Sequence, residues 1–197
     1  GILYINMFNE HKKGRIKMYF TTTRRKTRKD RIHIQFFAQA LKKDLSQGTV
    51  YKYSVQRFCE AANICRGTFY RNFKNLNDLF SQVLQFEINS CFNNPHSSTL
   101  HKKAHNLLIE IETNATYYRN VHSLASSQIR TQVDQALFRE MQKLLFNSNL
   151  SNKHIQSISS LILIRILDWI AHDYQDNVIT VYTDVECLFL HHIKKSC

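Results

Sequence analysis

One proline and four glycines are spread over 197 residues, and this scarcity of helix breakers limits what the chain can fold into more than any other feature. Proline removes a backbone donor and glycine frees the backbone, so these are the residues that interrupt helices. Gly1, Gly14 and Gly48 all precede Ser54, which leaves nearly the whole C-terminal half without a strong breaker. The expected class is therefore all-α with long helices. A length of 197 residues suits either one helical domain or a small head joined to a larger helical body, and a hydrophobic fraction of 43% is ample for a packed core.

Apolar periodicity places the elements. Ile32, Phe36, Phe37, Ala40 and Leu41 recur at helical spacing and predict a helix over 28–45, capped by Thr27 and loosely closed by Gly48. Ser54 caps a second helix whose inward face is Val55, Phe58, Cys59 and Ala62. After Asn63 and Ile64 follow a short helix from Cys65 to Phe73 and a longer one from Asn77 to Phe92, which buries Leu79, Phe80, Val83 and Leu84 and is ended by Pro95. Further helices are expected over 99–113, 116–147 with a break near Ser126, 152–174 and 181–194. The 152–174 span is apolar on two faces: Ile155, Ile158, Ile162, Ile166 and Trp169 on one, Leu161, Ile164 and Leu167 on the other. Such a helix needs cover on both sides, which a subunit core and a second subunit would supply together with Val181, Val185, Leu188 and Phe189 of the last helix. A homodimer through the last two helices is the expectation.

Charge narrows the partners. There are 27 Lys and Arg against 15 Asp and Glu, a formal +12, with essentially all of the excess before residue 75. Such a balance favours a polyanion, either nucleic acid or an anionic membrane surface, and composition does not choose between them. Residues 1–27 read as a basic arm: Arg24, Arg25, Lys26, Arg28 and Lys29 follow three threonines, which suits phosphate or minor-groove contact and equally a solvated tail. Lys13, Gly14 and Arg15 fit the purine-rich codons of a ribosome-binding sequence, which makes Met18 a candidate start. Five cysteines without a C-x-x-C pair fit neither a disulfide framework nor a zinc ribbon and suit a reducing cytosol. No signal-like apolar run opens the chain, and the Leu161 to Ile170 stretch is short and carries Arg165 and Asp168, so no membrane span is expected and the location is taken as cytoplasmic. A lean towards Asn, Ile, Lys, Phe and Tyr hints at a bacterial source.

The segment from Ser54 to Phe73 reads SVQRFCEAANICRGTFYRNF. Two short helices joined by a tight turn, the second basic and hydroxyl-rich, are what a DNA major groove admits: one helix enters and the other braces it across the backbone. Asn63 tolerates the left-handed backbone of the turn, and Ile64 fills the angle between the helices. Ser54, Val55, Phe58, Ala62, Ile64, Arg66, Thr68, Phe69, Tyr70, Phe73 and Leu79 stand in register with the DNA-binding head of the TetR family of repressors, which this segment resembles over about residues 32–86. A weaker similarity extends to Asp168, Trp169 and Ile170, which look like the penultimate helix of many members. Three positions depart: Cys65 stands for the usual Ser, Asn72 for His and Leu76 for Lys.

The resemblance implies that Ser54 and Tyr70 bond phosphates, that Arg66 and Thr68 reach base edges, and that Gly67 permits close approach. Val55, Arg71 and Lys74 complete the expected DNA-facing set, with Lys74 replacing the phosphate contact of the lost Lys. Arginine can grip guanine bidentately, whereas a tyrosine hydroxyl positions without reading sequence. Phe69 and Phe73 are expected in the core.

Other constellations are weaker. His101 and His105 have metal-ligand spacing but no third ligand nearby, and read as solvent-facing; His191 and His192 diverge on a helix. Cys65 beside Arg66 is either a redox-sensitive thiol or a plain replacement for Ser. Tyr117, Tyr118, His122 and Arg130 are candidates for an inducer pocket, or simply for core. No triad, Gly-rich phosphate loop or carboxylate pair is present, so neither catalysis nor a cofactor is expected. The organisation expected is an arm (1–27), a helix-turn-helix head (28–88) and a dimerising, ligand-responsive body (89–197). The function expected is repression by a homodimer on a palindromic operator, released when an inducer changes the separation of the heads. The alternatives are a same-fold activator, a regulator answering to a protein partner, and a nonspecific nucleic-acid or membrane-surface protein.

Overall fold

The computed structural model describes residues 28–93, 99–145 and 150–194, with side chains described for 33–93, 99, 101–145 and 150–189; the N-terminal arm, Met18, Thr27, Pro95 and the side chain of Ile32 lie outside these. Among the described residues the secondary structure is helical throughout: α1 (Arg28–Leu45), α2 (Val55–Ala61), α3 (Arg66–Asn72), α4 (Leu76–Phe92), α5 (Leu100–Thr113), α6 (Ala115–Leu124), α7 (Ser127–Leu144), α8 (Asn152–Ala171) and α9 (Val178–Lys194). The boundaries follow local chemistry. Side chains of Ser54, Asn75, Thr99, Ser126 and Ser151 each accept a hydrogen bond from the amide three residues on, satisfying a donor that a helix start leaves free. The expected 116–147 helix is two helices because Ser126 starts a new one after the extended Ala125.

Four phenylalanines lock the first three helices together. Phe37 of α1, Phe58 of α2, Phe69 of α3 and Phe73 just after α3 lie with ring centroids 5.0 to 6.5 Å apart and are buried. Edge-on and tilted pairs at this spacing add to the burial of large apolar area. Asp44 of α1 accepts from the Arg57 guanidinium of α2, from Nε at 3.0 and 3.4 Å and from Nη2 at 3.1 Å. Between α2 and α3 the chain turns through Asn63 at φ 51°, with the amides of Asn63 and Ile64 bonding back to Glu60 and Cys59. This is a Schellman motif, whose turn residue must be left-handed. One expectation is corrected: Phe36 is 47% exposed, because Ile34, Phe37, Ala38 and Leu41 form the inward stripe of α1.

The side chain of Asn120, on α6, joins this unit to the remaining helices. Its amide donates to the carbonyls of Leu45 and Gly48, both at 2.7 Å, and its carbonyl accepts from the Val50 amide at 2.9 Å. The end of α1 and the loop after it are thereby fastened to α6. α4 packs on α1, α5 and α7, and α7, α8 and α9 pack in succession, with α9 also against α5.

α8 buries Ile155, Ile158, Ile162, Ile166 and Trp169. The whole helix, at 20 residues and a mean hydropathy of 1.2, is long and apolar enough to cross a membrane by those two measures alone, a test that the core helix of a soluble protein also passes. In the fold that apolar face is core, and Arg165 is held by Asp184 at 2.8 Å and Asp176 at 2.6 Å. Its other face leaves Leu161 and Ile164 exposed, Ile164 at 62%. On α9, Val181, Val185 and Phe189 turn into the chain's own core, so they are not available to a second subunit; Ile179, 71% exposed, is its large apolar surface residue among those described. A second Schellman turn, left-handed at Asp173 (φ 56°), closes α8, and the Trp169 indole donates to the Asp176 carbonyl at 2.8 Å.

Because the α2 to α3 turn needs a left-handed residue, Asn63→Ala is expected to lower unfolding free energy by about 1 kcal/mol, with Asn63→Gly close to wild type, in urea denaturation followed by circular dichroism.

Candidate nucleic-acid interface and internal cavity

α3 is seven residues long and amphipathic by position: Phe69 faces inward, while Arg66, Gly67, Tyr70 and Arg71 face solvent. Tyr70 is 59% exposed, its ring edge-on to Phe69 with centroids 5.2 Å apart. A β-carbon added at Gly67 would meet nothing closer than the Cys65 sulfur at 3.8 Å, so the protomer itself does not demand glycine there. Thr68 is half-buried, its hydroxyl 3.3 Å from Cys65 Sγ. That hydrogen bond, with nearby amides, holds the Cys65 thiol below its ordinary value. Arg66 is not extended into solvent: its Nη2 donates to Gln56 Oε1 at 3.1 Å, and Gln56 donates to Glu60 at 3.0 Å.

At the start of α2, Ser54 is exposed, and its oxygen accepts from the Arg57 amide, leaving the O–H free to donate outward; Val55 is half-buried. Lys74 is exposed, and its amide donates to Asp78 at 2.8 Å. From Lys52 to Lys74 the charged residues are Lys52, Arg57, Arg66, Arg71 and Lys74 against Glu60 alone, which makes this surface basic. The departures from the repressor pattern are accommodated locally: Asn72 donates to the Thr68 carbonyl at 2.8 Å, and Leu76 packs against the core.

The pocket candidates divide. A cavity of about 90 Å³ lies among α4, α5, α6, α7 and α8, walled mainly by Leu84, Ile88, Ile111, Ile129, Val133, Leu163 and Ile166. Tyr118, His122 and Arg130 line it, with Arg130 exposed. Tyr117 does not: it is fully buried, and its position is corrected from pocket to core. His101 and His105 have separate partners, His101 bonding Glu186 at 2.6 Å and His105 standing edge-on to Tyr182. No group of three or more metal-ligating side chains occurs among the described residues.

Compared with solved structures, the chain is similar to the dihydroxyacetone kinase operon activator DhaS, at 19% identity and a TM-score of 0.59, over 83% of this chain and 97% of that one. No protein-family model and no curated protein matches the chain. The all-α fold anticipated from the sequence is thus shared with a transcription regulator.

The polar residues gathered around Glu87, beside the cavity, were not picked out from the sequence. Glu87, on the apolar face of α4, lines the cavity and is buried, with Oε2 accepting from the hydroxyls of Tyr117 at 3.2 Å and Tyr118 at 3.4 Å. Lys42 of α1 stands 3.3 Å from its Oε1, also pairs with Glu110 of α5, and lies over the rings of Tyr117 and Tyr118 at 5.3 and 5.8 Å. Burial lifts the Glu87 carboxyl to about 7, against the pull of Lys42. Burial opposes the charge on Lys42, but Glu87 and Glu110 outweigh it and hold the amine above its ordinary value. Burial, then Glu87, raises both tyrosines, which therefore remain neutral donors. His122 is lowered by burial and then by Arg130. The signal for Glu87 was in the sequence: it follows Val83 by four residues and Leu84 by three, the spacing of the buried stripe.

A carboxyl raised from 4.5 to about 7 binds more protons folded than unfolded between those values, so its ionisation opposes folding increasingly as pH rises through that window and by a constant amount above it. Glu87→Gln removes this dependence. Relative to wild type the variant is expected to gain on the order of 3 kcal/mol in unfolding free energy between pH 4 and pH 8, measured by denaturant titration at each pH.

Proposed function

We propose that this chain is a transcription regulator that binds double-stranded operator DNA as a homodimer, each copy laying α3 in a major groove. The observation that carries the reading is the division of α3: Phe69 anchors it in the aromatic core while Arg66, Gly67, Tyr70 and Arg71 are presented outward on a basic surface. In this reading Arg66 exchanges its Gln56 partner for guanine, and Thr68 contacts a neighbouring base edge. Ser54, Tyr70, Arg71 and Lys74 position the helix on phosphates, with Val55 packed beside them. Releasing an exposed hydrogen bond such as that from Arg66 to Gln56 costs little, because water replaces it. Residues 28–88 act as the DNA-binding head and 89–197 as the dimerising and ligand-responsive body, in the cytoplasm.

The second copy docks on the exposed faces of α8 and α9, where Leu161, Ile164 and Ile179 would leave water. Two-fold symmetry then requires a roughly palindromic operator. A small molecule in the cavity alters the pairing of the heads and releases DNA, which makes the chain a repressor. Activation is the second reading, favoured by the similarity to a protein named an operon activator. Reporter expression in a deletion strain separates the two: loss of a repressor raises it, loss of an activator lowers it.

Replacing Arg66 by Ala is expected to cost about 1 to 3 kcal/mol of discrimination between operator and scrambled duplex, read by fluorescence anisotropy, whereas Tyr70→Phe weakens both duplexes alike. Unchanged operator preference in the Arg66 variant removes α3 from base readout. Ile164→Asp is expected to convert a dimer to monomers in sedimentation velocity while leaving the helical content intact, since the change falls on an exposed position.

A further inference from the structure

We propose that the cavity takes a small organic cation, an ammonium group on a short apolar chain, with the lining carboxylate Glu87 as its acceptor. This identifies the chemistry of the ligand and rests on the reading of the cavity as the regulatory site.

Charge around Glu87 is unbalanced. Two carboxylates, Glu87 and Glu110, share one ammonium, Lys42, and among the described residues neither makes another ion pair. With both carboxyls ionised, the cluster carries one negative charge in excess; Glu110 is partly exposed and can be hydrated, but Glu87 is buried, where charge is costly. Tyr117 and Tyr118 are neutral hydroxyl donors, and burial keeps the Cys91 thiol protonated by raising it to about 12. None of them supplies the missing positive charge.

Glu87 also has an unused acceptor. Its Oε2 receives both tyrosine hydroxyls, but its buried Oε1 has no hydrogen-bond partner; Lys42 approaches it at 3.3 Å without hydrogen-bond geometry. An N–H donor arriving from the cavity would complete it. The walls around it are aliphatic, so the remainder of the ligand must be apolar. At roughly 10 to 15 Å³ for each water-sized position, a cavity of about 90 Å³ admits on the order of six to nine non-hydrogen atoms.

The lining also holds His122 and Arg130, whose chemistry is opposite. Burial and Arg130 lower His122 and favour its neutral form, and the Arg130 guanidinium is exposed, where water screens it. A cation at Glu87 also bears on DNA binding. It competes for the carboxylate with Lys42, a residue of α1, and α1 is the helix that holds α2 through Asp44 and Arg57.

The test is isothermal titration calorimetry of the full chain with hexylammonium, 1-hexanol and hexanoate, which match in length and differ in head group. Hexylammonium is expected to bind at least about tenfold more tightly than hexanoate, and Glu87→Gln to weaken it by about tenfold or more while leaving hexanol within about twofold. Retained hexanol binding shows that the variant keeps its fold and cavity. Since the ligand needs the ionised carboxylate, hexylammonium affinity should also rise about tenfold from pH 6 to pH 8 in wild type and stay flat in the Gln variant. Tighter binding of hexanoate, lost in Arg130→Ala, overturns the cationic assignment and leaves the cavity a ligand site. Hexylammonium binding that ignores Glu87→Gln overturns it as well. Silence of all three probes overturns both this inference and the reading of the cavity as regulatory.

Discussion

One amide side chain holds the two parts of this fold in register. Asn120 is buried and makes three hydrogen bonds to backbone groups of Leu45, Gly48 and Val50, all in the stretch between α1 and α2. Those backbone groups are removed from water, and each would be costly to leave unpaired. The link therefore has directional demands that an apolar contact would not have. Because α6 carries Asn120 along with Tyr118 and His122, a single helix touches both the cavity and the end of α1 with the loop that follows it.

A second tie runs beside it. Lys42 reaches from α1 to Glu87 of α4 and Glu110 of α5, so the cluster around the cavity residue Glu87 is also a bridge between helices. Buried ion pairs seldom add much net stability, since desolvation offsets attraction. Here the arrangement is also unbalanced in charge, and a core built only for stability would not require that. The imbalance favours a role in recognition, and it is the basis for assigning a cationic ligand to the cavity.

The proposed DNA-facing surface is organised differently, with a rigid interior and a plain exterior. Phe37, Phe58, Phe69 and Phe73 set the angle of α3 by ring packing, and the left-handed Asn63 sets the approach of the chain to it. The side chains offered outward need only be long, polar and unobstructed. Cys65, where the repressor pattern has Ser, forms no side-chain cap and instead lies against the Thr68 hydroxyl, and α3 forms without that cap because Phe69 is packed on three rings.

Much of this was legible in the residue order. The helices, the Ser54 cap, the turn at Asn63 and the inward Phe69 and Phe73 follow from local preferences and spacing, which act over a few residues and leave their mark in sequence. What the sequence left open depends on which faces meet. Phe36 fits the apolar pattern of α1 yet stays exposed, and Val181, Val185 and Phe189 fit an interface yet fill the chain's own core. Tyr117 and Tyr118 are adjacent in the chain, and packing sends only the second to the cavity. Glu87 and Asn120 lie on apolar stripes, where spacing marks them as buried but cannot name their partners. Those partners lie more than 40 residues away for Lys42 and Glu87, and about 70 for Asn120 and Val50. Local propensity fixes which segments are helices; only tertiary packing decides which buried polar groups satisfy one another.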